Sequence, residues 1–162
     1  MKTAAKFFIV LMTAALAAGM TGCGDNKPDI RELQKNEGDM LVIKSFPMEA
    51  VPEIKYENGI LRMSVSYDGH AYNPNSDENQ YVKMTDAEYM KIYDFCVEVS
   101  EKNKFEGYKE NVCDGDTYTF IYYDTEGKEH EIYSGYCYEN DDLQDILYTI
   151  RKYSSDRSDI VT

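Results

Sequence analysis

Tryptophan is absent, histidine occurs twice, and basic side chains are outnumbered 17 to 30 by acidic ones. The resulting net charge of −13 repels phosphate backbones and anionic headgroups. That balance excludes nucleic acid as a partner and a basic patch as a membrane anchor. General-base chemistry would have only His70 and His130 to draw on. The Gly-x-Ser-x-Gly, His-Glu-x-x-His, phosphate-loop and dinucleotide fingerprints are all missing. The chain is therefore not expected to be an enzyme, and no metal or cofactor is expected. Internal repeats and low-complexity blocks are lacking too. The single long apolar run, residues 7–20, stops short of the roughly 20 residues that a membrane-spanning helix needs.

That run has the grammar of an export signal. Lys2 and Lys6 precede it, no acid interrupts it, and small residues lead into Met20-Thr21-Gly22-Cys23. Those four residues resemble the lipobox of bacterial lipoproteins, with methionine where leucine is usual. The resemblance implies that residues 1–22 are a lipoprotein signal peptide and that Cys23 is the first mature residue and carries the lipid. Loss of 1–22, with its two lysines, would leave 140 residues and change the net charge from −13 to −15. One domain with its own core fits that length. The implied place is the extracytoplasmic face of the cell membrane, with two or more acyl chains for stable anchoring.

Four cysteines less a lipidated Cys23 leave Cys96, Cys113 and Cys137, an odd number outside the cytoplasm. Cys113 and Cys137 flank a hairpin described below, which makes a Cys113–Cys137 disulfide the candidate pairing; free buried thiols are the alternative. Cys96 sits in an apolar helical run, where a cysteine behaves as a small hydrophobe.

Residues 23–38 are polar and broken by Pro28 and Gly38, and read as the lipidated cysteine and a tether, in which Asp29 could cap a short helix reaching Lys35. Residues 40–46 are apolar enough for a strand, ended by Pro47. Asn58-Gly59 suits a type I′ turn between the short piece at residues 54–56 and a strand in which Leu61, Met63, Val65 and Tyr67 alternate with polar residues. Residues 68–80 read as a surface loop; the calcium-like spacing of Asn73, Asn75 and Asp77 fails at Glu78 and Met84. Thr85-Asp86-Ala87-Glu88 is a capping box that starts a helix at Asp86, ending near Asn103. A second hairpin joins residues 117–123 to 129–134 through Glu126-Gly127. Asn140 caps a last helix with Leu143, Ile146, Leu147 and Ile150 on one face. The fold expected is α+β: one domain over residues 39–153, an antiparallel sheet of about four to five strands in two hairpins, two amphipathic helices packed on one face, and a polar tail at 154–162.

Thr85-Asp86-Ala87-Glu88, Phe105-Glu106-Gly107-Tyr108, Asp114-Gly115 before an aromatic strand, Gly127, Gly135 and Glu139-Asn140 together resemble uncharacterised lipoproteins of Gram-positive gut bacteria. The likeness covers residues 85–153. This chain departs from it in having Tyr118 where tryptophan is usual and no proline after Tyr138. The resemblance implies a fold and a location, and no catalytic residue.

Fifteen tyrosines stand out. Six of them fall within the second hairpin and its exit, and tyrosine combines contact area with a polar tip. Tyr118, Tyr123, Tyr133 and Tyr136 are candidate binding residues for an envelope or extracellular protein, peptide or glycan. The structural alternative is that tyrosine suits a half-buried sheet. A second functional alternative is a small thiol-dependent hydrolase or redox enzyme using Cys113 with His130. A third has Asp114, Asp116, Glu139, Asp141 and Asp142 gathered around a cation.

Overall fold

The structure, a computed structural model, describes residues 28–47, 60–72 and 81–154. The signal peptide, Cys23, the Asn58-Gly59 turn, the Asn73, Asn75 and Asp77 spacing and the tail from residue 155 lie outside the described residues.

In chain order the elements are α1 (Ile30–Leu33), β1 (Asp39–Phe46), β2 (Leu61–Ser66), β3 (His70–Tyr72), β4 (Tyr81–Lys83), α2 (Asp86–Lys102), β5 (Thr117–Tyr123), β6 (Glu129–Gly135) and α3 (Asp141–Ser154). The strands form one six-stranded sheet in the order β4-β3-β2-β1-β5-β6, antiparallel throughout. Three helices and six strands replace the two helices and four to five strands expected. α1 is the short helix that Asp29 could cap, and the additions are β3 and β4, of three residues each. Such short elements carry too little pattern to register as periodicity.

Register explains which face is buried. Leu41 pairs with Val65 and Tyr122, and Ile43 with Met63 and Phe120, so these six side chains share one face of the sheet. They bury in one cluster with Tyr89, Ile92, Cys96 and Val99 of α2 and Leu143, Ile146, Leu147 and Ile150 of α3. Each such aliphatic or aromatic side chain removed from water contributes about 1.5–3 kcal/mol. α3 lies over β2 and β3, and α2 over β6. Register shifts at Asp39/Leu41 and at Phe120/Ile121 insert Met40 and Ile132, which lets Met40 with Leu41, and Ile132 with Tyr133, bury as adjacent pairs.

Local chemistry sets the ends. Thr85 Oγ1 accepts from Glu88 N at 3.3 Å and opens α2, while Asn103 closes it in the left-handed region at φ 48°. Asn140 Oδ1 accepts from Leu143 N at 3.0 Å at the start of α3. Asp124 Oδ1 accepts from Glu126 N and Lys128 N at 3.0 and 2.9 Å and builds the β5–β6 turn. The supposed tether already folds at Asp29, whose side chain caps α1. Leu33, 4 % exposed, inserts into the core, so residues 29–38 belong to the domain.

Candidate functional site

The tyrosines of the second hairpin are placed by the sheet register. Tyr118 pairs with Ser45 on the helix-covered face and Tyr133 with Phe120, leaving the two rings 4 % and 5 % exposed. Neither offers a ring to a partner, which corrects the expectation of a patch built from all four candidates. Tyr118 Oη accepts from Arg151 at 2.8 Å, and Tyr133 Oη donates to the Tyr136 carbonyl. Tyr133 also packs edge-on against Phe105 and Phe120, with ring centres 5.7 and 6.0 Å away. Tyr123 and Tyr136 are half-buried, and Tyr123 Oη donates to Glu129 at 3.1 Å.

The same economy runs through the other tyrosines. Tyr89 Oη donates to the Tyr67 carbonyl at 2.9 Å, and Tyr67 Oη to the Tyr123 carbonyl at 2.7 Å. Tyr138 Oη accepts from Asp116 N at 2.6 Å. Glu110 accepts from Tyr138 N at 2.6 Å, Glu139 N at 3.1 Å and Tyr108 Oη at 2.9 Å. Burial pushes Tyr122 and Tyr133 up to about 12, which keeps both as neutral phenols in the core. Tyrosine here supplies apolar mass whose polar tip satisfies backbone or side-chain groups that would otherwise be left unbonded.

Cys96, Cys113 and Cys137 are all free thiols, so the Cys113–Cys137 disulfide is not formed. Cys137 is buried while Cys113 lies on the surface. Burial, with Glu110 second, pushes the Cys137 thiol up to about 12, and burial alone lifts Cys96 well above the ordinary range. Both are inert as nucleophiles. His130 pairs across the strands with Tyr122 and stacks on it at 5.8 Å, near the β5–β6 turn. Tyr118 pairs with Gly135 at the opposite end, the end from which Cys113 enters β5. Those two levels are four strand positions apart, about 13 Å. His130 Nε2 lies 2.9 Å from Asp124 Oδ2 and is engaged there. Among the described residues no group of three or more His, Cys, Asp or Glu side chains is placed to hold a metal ion.

A different place has the form of a site. Beside α1 a cavity of about 590 Å³ opens among Gln34, Lys35, Asn36, Glu37, Ser66, Asp68 and His70, with Tyr81 at its edge. The end of α1 supplies Gln34, and the β2–β3 turn supplies Ser66, Asp68 and His70. Gly69 makes that turn at φ +83°, and its N–H donates to the Ser66 carbonyl at 3.0 Å. A Cβ on Gly69 would sit 2.7 Å from Lys83 Nζ and 2.9 Å from Gln34 Nε2, so two nitrogen heads converge over this glycine.

The Asp68 carboxylate accepts from Ser66 Oγ. Partial burial raises the Asp68 carboxyl, but the Ser66 hydroxyl and the His70 ring outweigh it and hold the group below the usual carboxylate range. His70 Nδ1 lies 3.1 Å from Asp68 Oδ1, close enough to pair with the carboxylate. Gln34 Nε2 is buried with no hydrogen-bond partner among the described residues. Sequence reasoning missed this place because residues 68–80 read as one solvated loop. The signal was there in Asp68-Gly69, a turn pair, followed by the alternating His70, Ala71 and Tyr72.

Compared with known proteins, the chain matches no family model, no curated protein and no solved structure. The likeness drawn over residues 85–153 therefore stands on those motifs alone.

Proposed function

We propose that this chain is a lipid-anchored module on the extracytoplasmic face of the cell membrane that binds a partner and performs no chemistry. The observation that carries the reading is Met20-Thr21-Gly22-Cys23 behind an acid-free apolar run and two lysines. No helix among the described residues is long and apolar enough to cross a membrane. The scaffold is best read as two hairpins with α2 and α3 on one face, a reading supported by the shared core cluster.

The early start of the domain sharpens the proposal. From Cys23 to Asp29 the chain makes six residue steps, which span at most about 20 Å when fully extended. A domain held that closely meets partners at the membrane surface, whether envelope protein, peptide or glycan. The alternative of thiol chemistry through Cys113 and His130 is disfavoured by their places at opposite ends of the β5–β6 hairpin, levels about 13 Å apart. Metabolic labelling with palmitate in a bacterial host tests the anchor: the wild-type chain takes up label and sediments with membranes, and Cys23→Ala does neither. An unlabelled wild-type chain overturns the reading.

A further inference from the structure

We propose that β6 is the docking edge for an extended segment of a partner protein, one that carries lysine or arginine at alternate positions and adds to the sheet as an antiparallel strand. The sheet ends at β4 and β6. β4 has three residues and β6 seven, so β6 is the end long enough to take a further strand. Among the described residues its only strand partner is β5. The connector after α2 runs beside this edge without closing it. Its own backbone bonds stay local, from Lys104 N to the Val99 carbonyl, Glu106 N to Asn103 and Tyr108 N to Phe105. A cavity of about 400 Å³ lies between it and residues 130–134.

Register shows which backbone groups are left over. Asp124 N donates to the Lys128 carbonyl at 3.0 Å, so those two residues form a hydrogen-bonded pair. Antiparallel ladders alternate, which makes Tyr122 and His130 the next bonded pair. Tyr123 with Glu129, and Ile121 with Glu131, are then the non-bonded pairs. The N–H and C=O groups of Glu129 and Glu131 therefore point away from β5 into the open edge, and both residues are exposed. Backbone groups so placed take the complementary groups of an added strand.

Charge selects the strand. Through their pairing with Tyr123 and Ile121, Glu129 and Glu131 stand on the sheet face away from α2 and α3. Glu129 accepts from Tyr123 Oη at 3.1 Å and keeps lone pairs for a second donor. Side chains opposite them on an added strand would stand about 5 Å away, where a cation is favoured and an anion opposed. A second copy of this chain pairing through the same groups would set glutamate against glutamate, and the net charge of −13 opposes its approach as well. The occupant is thus a different, basic chain. The bulge at Ile132 breaks the regular ladder beyond Glu131 and concentrates recognition on these two residues.

An NMR titration of the isotope-labelled full-length chain in neutral detergent micelles tests the edge, with acetyl-Thr-Lys-Val-Lys-Val-Thr-amide as probe. Binding is expected with Kd of about 0.1–1 mM, with the shifts centred on residues 129–134. N-methylation of the two lysines of the probe, which removes the donors facing β6, should abolish binding, and N-methylation of its two valines should not. Glu131→Lys should weaken binding at least about tenfold, while Glu101→Lys, the same charge change on an exposed position of α2, should leave it within about twofold. Circular dichroism of each variant separates lost binding from lost folding. Absence of shifts at about 5 mM probe overturns the proposal, as does equal weakening by the two variants or undiminished binding of the lysine-methylated probe. Self-association of the chain through β6 would overturn it too. The inference rests on the binding reading above, but palmitate labelling decides the anchor separately, so a labelled chain that ignores the probe loses only this site.

Discussion

Glu88 ties the start of α2 to the end of α3, and its removal should be felt in a pH-dependent way. Its carboxylate takes Lys152 Nζ at 2.8 Å, Thr85 Oγ1 at 2.8 Å and the Tyr153 hydroxyl. Lys152 foremost, then Tyr153, hold the group down to about 2 from an ordinary 4.5, against a smaller opposing effect of burial. A lowered folded-state value means that the stabilisation is complete above pH 4.5 and is lost as pH falls through about 2. Linkage between those values corresponds to about 3 kcal/mol. Because the Glu88 and Lys152 side chains keep 24 % and 37 % of their surface, solvent screening brings this to about 2 kcal/mol. Urea unfolding of wild type and Glu88→Gln at pH 7 should therefore differ by about 2 kcal/mol, or about 8 °C in thermal midpoint. The gap should narrow below pH 4.5 and be largely closed near pH 2. A gap below about 0.5 kcal/mol at pH 7, or one that does not change with pH, would refute the account of this network.

Gly69→Ala should cost about 1–3 kcal/mol, because alanine is strained at a positive φ and its Cβ meets Lys83 and Gln34; a thermal midpoint equal to wild type would show that the turn can adopt another form. Alkylation of the native chain should modify Cys113 readily and reach Cys96 and Cys137 only after unfolding, as peptide mass spectrometry can record. Mapping that joins Cys113 to Cys137 would contradict the free thiols. Phe120→Ala, at the centre of the sheet face beneath the helices, should lose about 3–5 kcal/mol in urea unfolding, and a smaller loss would mean that the core collapses around the cavity.

Local signals in the sequence were sufficient for several elements. The capping box placed the start of α2 at Asp86, and β5 spans the residues 117–123 in which strand formers are dense. These features are legible because the groups that decide them lie within four residues of one another: a threonine hydroxyl and an amide, an aspartate and the turn it closes. The candidate site was largely illegible. Gln34 reaches it from α1, Asp68 and His70 from a turn more than thirty residues later, and Tyr81 from the far edge of the sheet.

By itself the sequence determined the helix starts, the β5–β6 reversal at Asp124 to Lys128, the acidic surface and the apolar stripes that had to be buried. Only the tertiary structure decided that Tyr118 and Tyr133 go inward, that Leu33 draws the end of the tether into the core, and that Tyr81 stays in water beside the cavity next to α1. A cap or a turn carries its whole energy within its own few residues. Strand order, bulge position and the face a tyrosine occupies depend instead on contacts between residues far apart in the chain, where neither choice costs anything until the sheet and helices close on each other.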